Sequence, residues 1–309
     1  MNRDNKIGIT SGVLSGALWG LDTVLTGIIL SQDPFISTQQ AIMLAPIISA
    51  FLHDTFSSLW MMIYLIFKRE FAKTIKLLNT RSGRFVALAA LFGGPIGMAA
   101  YLLAINYIGA GYTASISAIY PAVGAFFAYI FLKEKLSIRG WIGLGLSIIS
   151  IIILGYTPDS NVGSNFFIGF IFALVCVLGW SLESVICAYG MKDDEVNSIQ
   201  ALQIRQLVSA LFYGIIIVPI IGGMGLTKVV LTSNVPIIIM LTALVGTLSY
   251  NFYYKAIDKV GPVKATGLNV TYSIWAIIFD VLILGNAITI KLIICAMLII
   301  IGSVLVSKN

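Results

Sequence analysis

The sequence predicts an all-α, polytopic membrane protein: ten transmembrane helices forming two inverted five-helix repeats, 1–156 and 157–309, within a single membrane domain. Three observations predict this. Hydrophobic residues make up 59% of the 309 and charged residues 10%, against about 45–50% and about 25% in a soluble domain. The apolar residues are gathered into runs of membrane-spanning length, and segments of the first half recur in order in the second.

A hydrocarbon core of about 30 Å takes roughly 20 apolar helical residues, because every backbone donor and acceptor has to be satisfied within the segment. Ten such runs follow one another: 7–30, 40–67, 84–106, 111–132, 138–156, 165–191, 199–221, 236–257, 262–284 and 288–306. The first has no small-residue cleavage site behind it and is expected to be a retained anchor. No alternating strand pattern competes with these runs.

Charge orients them. With the amino terminus inside, Arg3, Lys6, Lys68, Arg69, Lys73, Lys76, Arg81, Arg84, Lys133, Lys135, Arg139, Lys192, Lys255, Lys259, Lys264 and Lys308 fall on the cytoplasmic side, sixteen of the nineteen basic residues. Lys228 and Lys291 fall outside, and Arg205 lies within a helix. The positive-inside rule thus places a multi-pass protein in the cytoplasmic membrane with both termini cytoplasmic. The net charge of +6 reflects this bias toward the bilayer face, not nucleic-acid binding.

The internal repeat has three parts. WGLDTV (19–24) matches WSLESV (180–185). AINYIGAGYTASISAIYP (104–121) matches AIDKVGPVKATGLNVTYS (256–273) at an offset of 152, which pairs Tyr120 with Tyr272. The same offset sets His53 opposite Arg205 and Ser57 opposite Ser209. Five helices per half is an odd number, so the second half enters the membrane from the other side, the plan of secondary transporters with a midplane site between the halves.

Counted at about 1.5 Å per residue, Trp19, Trp180, Tyr120 and Tyr272 all approach the bilayer centre. Trp275 is three residues past Tyr272 and is expected to share its face, while Tyr250 and Tyr254 give the eighth run an aromatic face. Any one of these aromatics reads as a packing or lipid-facing residue, but those that anchor a protein gather at the interfaces, and a symmetry-related central set beside carboxylates points to a shared cavity. Acids accompany them: Glu183 follows Trp180 by one turn, and His53, the single histidine, adjoins Asp54. Intramembrane ionisable groups mark substrate or proton pathways, or pair with one another, as Glu183 and Arg205 on neighbouring helices are placed to do. His53, Asp54 and Glu183 are the candidates for proton coupling, and Arg205 for gating. Consecutive residues point about 100° apart, so His53 and Asp54 need not share a face.

LFGGPIGMAAYLLAINYIG, SAIYPAVGAFFAYIFLKEKLS and VKATGLNVTYSIWAIIFDVLILG resemble the EamA branch of the drug/metabolite transporter superfamily. Within it, LHD (52–54), GPIGM (94–98), SAIYPA (117–122), SLESV (181–185), IRQ (204–206) and KATGLNV (264–270) resemble the LicB-type choline transporters of bacteria that decorate their envelope with phosphocholine. The resemblance implies a ten-helix inverted-repeat fold and proton-coupled import of choline. Asp22 departs from that pattern, where the turn is uncharged, and no role is carried over to it.

Choline suits these residues. A quaternary ammonium has no N–H to donate and is held by aromatic faces, each contributing about 0.5–2 kcal/mol depending on desolvation. A permanent cation in low dielectric also favours a nearby carboxylate, the role read for Glu183. Asn269 or Tyr272 offers the hydroxyl a hydrogen-bond partner. The alternative within transporters is export of amino acids or other small metabolites, whose carboxylate needs a base, and Arg205 is the one within a span. Enzymatic chemistry has little to build on: one histidine, no metal or redox motif, and three scattered cysteines, Cys176, Cys187 and Cys295, of the packing kind. No cofactor or metal is called for. The partners expected are choline or a related quaternary ammonium, protons and the bilayer.

Overall fold

The structure, a computed structural model, describes residues 3–133, 135–156, 165–190, 196–260 and 262–307. Lys192, Lys308 and the proposed start of the second repeat at 157 lie outside the described residues, as does the side chain of Lys264. Among the described residues every regular element is a helix. α1 (Arg3–Leu30) and α2 (Gln39–Phe67) are followed by a short α3 (Phe71–Leu77). α4 (Arg81–Leu91) passes through a π-helical segment (Phe92–Met98) into α5 (Ala99–Ser117), and then come α6 (Tyr120–Phe131) and α7 (Ile138–Tyr156). In the second part α8 (Phe166–Gly190) precedes α9 (Ser198–Phe212), which runs through a π turn (Tyr213–Ile217) into α10 (Val218–Ile220). α11 (Met224–Leu231), α12 (Val235–Val260), α13 (Pro262–Asn269), α14 (Tyr272–Leu284) and α15 (Ile290–Ser307) complete the chain.

Among the described residues seven helical stretches are long and apolar enough to cross a membrane by length and composition, and Tyr120–Phe131, Ile138–Leu154 and Ile290–Val306 are shorter apolar helices. Local chemistry sets the ends. Thr38 caps α2 by accepting from the Ala41 amide at 3.0 Å. Asn197 and Gln200 cap α9 reciprocally, each side chain accepting from the other's backbone N–H at 3.0 and 3.2 Å. At Gly109 the backbone leaves the helix (φ 79°, ψ 169°), a conformation open essentially to glycine, and this ends the run read as 84–106.

Two differences from the sequence reading matter. The fourth run, 111–132, is broken at Ala118–Ile119 between α5 and α6, and the ninth, 262–284, is broken at Val270–Thr271 between α13 and α14. These breaks stand 152 residues apart, the same offset as the sequence match, with Tyr120 and Tyr272 opening the helices that follow. In addition α3 and α11 are short helices outside the ten runs.

Each part's first helix is clasped by the other part. α1 packs on α12, α13 and α14, while α8 packs on α4, the π segment, α5 and α6. Gly8, Gly12, Gly16 and Gly20 recur every fourth residue on α1 and meet Val260, Leu268, Thr271 and Ala276 in turn. Small residues let helices approach where no water-driven attraction operates between them. α7 and α15 pair at the periphery.

Candidate functional site

A cavity of about 570 Å³ lies between the two parts, within the ~300–1,000 Å³ usual for ligand pockets. Trp19, Tyr120, Trp180, Tyr250, Tyr254, Asn269 and Tyr272 line it, together with Glu183 and Arg205. Its lining extends to Val86, Leu132 and Ala188, next to the basic segments around Arg84 and Lys133, so its mouth is on the basic side.

Four rings form a continuous edge-to-face series: Tyr120 to Trp180 at 5.6 Å between centroids, Trp180 to Trp19 at 5.8 Å and Trp19 to Tyr250 at 5.4 Å. Each ring therefore holds its neighbour's face at a fixed angle. Trp180 is anchored further, because its Nε1 donates to the Gly93 carbonyl at 3.2 Å. That carbonyl sits in the π-helical turn, where Pro95 has no N–H and the backbone widens. Behind both indoles stands Tyr101, 5.0 Å from Trp180 and 6.4 Å from Trp19, its hydroxyl bonded to Thr23 at 2.6 Å.

Beside the rings lies a cluster of five charged or titratable side chains, Asp22, His53, Asp54 and Arg205 buried and Glu183 half-buried at the cavity wall. Arg205 Nε donates to Glu183 Oε1 at 2.8 Å, and Arg205 Nη1 donates to Gln206 Oε1 at 3.0 Å. His53 Nε2 is 3.0 Å from Asp22 Oδ1. Asp54 lies between these pairs, its Oδ1 being 3.6 Å from His53 Nδ1 and 3.8 Å from Arg205 Nη1, while its Oδ2 accepts from the Ser209 hydroxyl. The glycines around the cluster leave it room: a Cβ on Gly93 would strike the Glu183 carboxylate, one on Gly94 the Ser209 hydroxyl, and one on Gly246 the Asp22 carboxylate.

The arrangement follows the internal repeat. Asp22 matches Glu183 in the WGLDTV and WSLESV pair, and His53 matches Arg205 at the offset of 152. Each part thus contributes one acid from its first helix and one base from its second, in contact. Asp22, to which sequence reasoning assigned nothing, is the partner of His53. Glu183 and Arg205 form the ion pair that stood as the alternative to a counter-ion role for Glu183. His53 and Asp54, adjacent in sequence, both face the same cluster.

Other placements differ from the sequence reading. Trp275 does not line the cavity but stacks on Phe279 at 6.0 Å, with its Cβ against Gly20. Tyr272 reaches the cavity wall yet is 1% exposed, its hydroxyl bonded to Ser117 at 2.7 Å. Asn269 Nδ2 is committed to Ser15 at 2.6 Å. Tyr253 lines the cavity and bonds Thr266 at 2.7 Å, and sequence reasoning passed over it. The offset of 152 that pairs Tyr120 with Tyr272 also pairs Tyr101 with Tyr253, so the repeat held the signal for both. Among the described residues no group of three or more His, Cys, Asp or Glu side chains is placed to hold a metal ion.

The chain is similar to known proteins. Protein LicB of Haemophilus influenzae is 39% identical over 191 residues, 62% of this chain and 64% of that protein, so the match spans less than two thirds of its length. An uncharacterized transporter of Clostridium kluyveri is 26% identical over 75% of this chain and 74% of its own. One solved crystal structure, described only as that of a protein, aligns with a TM-score of 0.59 over 99% of this chain and 97% of its own at 15% identity, a likeness of fold alone. The EamA-like transporter family matches residues 6–156 and again 167–308. Those two matches take in every residue of the cavity wall and the whole charged cluster, and the chain belongs to the EamA-like transporter family.

Proposed function

We propose that the protein is a secondary active transporter that imports choline, or a related quaternary ammonium, together with protons by alternating access. Its ten spans form two inverted five-helix repeats, 1–156 and 157–309, in the cytoplasmic membrane. The observation that carries this is the series Tyr120, Trp180, Trp19 and Tyr250 along a cavity that also has the Glu183 carboxylate in its wall. Rings and a carboxylate are the two kinds of partner a quaternary ammonium accepts. The LicB-type resemblance and the 39% identity to Protein LicB point the same way. The paired breaks at Ala118–Ile119 and Val270–Thr271 support the repeat reading, since broken helices at matching positions flank midplane sites in transporters. With the basic segments cytoplasmic, the mouth beside Val86 and Leu132 opens inward.

Charge supports proton coupling. Asp22, Asp54 and Glu183 face only Arg205 and His53 in the cluster. Isolated buried charge costs several kcal/mol per ion. Three acids against two bases leave room for one more positive charge, which a proton or a monocation in the cavity can supply. On this reading the proton and the substrate cation are linked through the shared charge of the cluster. An imposed inward proton gradient should accelerate choline uptake into proteoliposomes, and His53→Gln should blunt that response. Uptake indifferent to the gradient, with exchange excluded, would make the protein a facilitator.

Arg205 at the cavity wall favours the second reading, export of an amino acid or another small metabolite bearing a carboxylate. Calorimetry on the purified protein separates the two. Choline is expected to bind and a neutral amino acid not, with betaine, whose carboxylate meets Glu183, weaker than choline. Binding of the amino acid without choline would establish the export reading instead.

A further inference from the structure

Arg205 makes, within the protein, the two contacts that a bound cation would make. Its guanidinium is 2.8 Å from Glu183 and stands over the Tyr250 ring at 5.9 Å. Both partners line the cavity. While that contact lasts, the carboxylate is neutralised and one aromatic face is occupied, so an entering cation meets a site already filled by a tethered one.

The alternative position for Arg205 is also present. Asp54 Oδ1 is buried and has no hydrogen-bond partner, an expensive condition for a carboxylate oxygen. It lies 3.8 Å from Arg205 Nη1, just beyond hydrogen-bond range. A movement of about 1 Å brings Nη1 into hydrogen-bond distance of it. Ser209 already fixes the other oxygen, which keeps the carboxylate plane from turning away. The long arginine stem permits such a shift without moving α9.

We propose that Arg205 is a displaceable internal counter-ion: the substrate cation takes Glu183 and the Tyr250 face, and Arg205 passes to Asp54. This rests on the cation reading of the cavity given above. The exchange leaves no carboxylate unpaired at either end, so the displaced arginine reports occupancy of the cavity to the Asp54–His53–Asp22 side of the cluster. Arg205 is thus a positioning residue in competition with substrate, and Asp54 is its second seat.

Removing a group that merely supports the site weakens binding and transport together, whereas removing a competitor strengthens binding and slows turnover. Choline affinity by calorimetry and uptake rate in proteoliposomes are measured on the full chain. Arg205→Gln should bind choline about tenfold more tightly, the equivalent of one factor of ten in Kd, while its uptake rate falls. Arg205→Lys keeps a positive charge with a weaker, single-point hold on the carboxylate and should shift affinity the same way by less. Asp54→Asn, which removes the second seat, should bind several-fold more weakly. Should Arg205→Gln not fold, Arg205→Lys and Asp54→Asn decide the matter. Wild-type binding of choline with unchanged or weaker affinity in the Arg205 variants, or unchanged affinity in Asp54→Asn, overturns the displacement and leaves the transport reading standing. Wild-type protein that binds no quaternary ammonium overturns both.

Discussion

Trp180→Leu should weaken choline binding roughly thirtyfold, since a desolvated aromatic face contributes about 2 kcal/mol to a cation and each 1.4 kcal/mol is about a factor of ten. Trp180→Phe should keep part of that affinity. The comparison isolates the ring, because both variants lose the indole donor to the Gly93 carbonyl and both remain apolar. Trp180 touches Tyr120, Trp19 and Tyr101 alike, so losing it also frees the neighbouring rings to turn. Trp19→Leu and Trp19→Phe should follow the same order on the α1 side of the cavity. The measurement is calorimetry, or fluorescence of the remaining tryptophan residues, on protein with an unchanged size-exclusion profile. Equal affinity in the leucine and phenylalanine variants would reduce these residues to packing and remove the main support for a quaternary ammonium.

Gly20→Leu should damage the fold itself. A Cβ at this position lies 2.7 Å from the Ala276 amide nitrogen, 2.7 Å from the Trp275 Cβ and 2.9 Å from the Tyr272 carbonyl. Those neighbours are mostly backbone of α14, which cannot swing aside as a flexible side-chain end does. Overpacking costs typically about 1–3 kcal/mol, and a whole leucine driven between two helix backbones belongs at the upper end. Gly145→Leu is the control, because a Cβ there meets nothing within 4 Å. Thermal melting in detergent should fall clearly for Gly20→Leu and stay near wild type for Gly145→Leu. Similar melting of the two would mean that the α1 glycine face does not set the distance to α14. This face is also the contact between the two parts, so a partially folded Gly20 variant should lose transport before it loses secondary structure.

Much of this molecule is written locally. Transfer of an apolar residue into lipid is nearly additive along the chain, which is why the runs at 7–30, 40–67, 165–191 and 236–257 coincide closely with α1, α2, α8 and α12. The repeat is also a property of the string, and it matches Tyr120 with Tyr272, Asp22 with Glu183 and His53 with Arg205 before any contact is known. The breaks at Ala118–Ile119 and Val270–Thr271 were not legible, because a hydropathy run does not register a few residues of altered backbone, and the residues there are small or apolar. The tertiary structure supplies what holds one of them: the Ala118 carbonyl accepts from Ser303 on α15 at 3.0 Å, a residue 185 positions away.

Rotation of a helix about its axis is likewise decided by what it packs against. Trp275 was read onto the face of Tyr272, but Gly20 of α1 takes up its Cβ and leaves the indole on Phe279, outside the cavity. Asp22 shows the same limit in the opposite sense. Sequence marks it as a charge in lipid, which must be compensated, but whether by lipid-exposed water, by Arg205 or by His53 is a question of angles between α1 and α2. The sequence by itself determined that this chain lives in a bilayer, folds as helices and repeats its own aromatic and charged pattern, because hydrophobic transfer and internal similarity are sums over local residues. Only the tertiary structure decided which acid meets which base and which rings enclose the cavity, because pairing energies fall off over a few ångströms and depend on helices brought together from opposite ends of the chain.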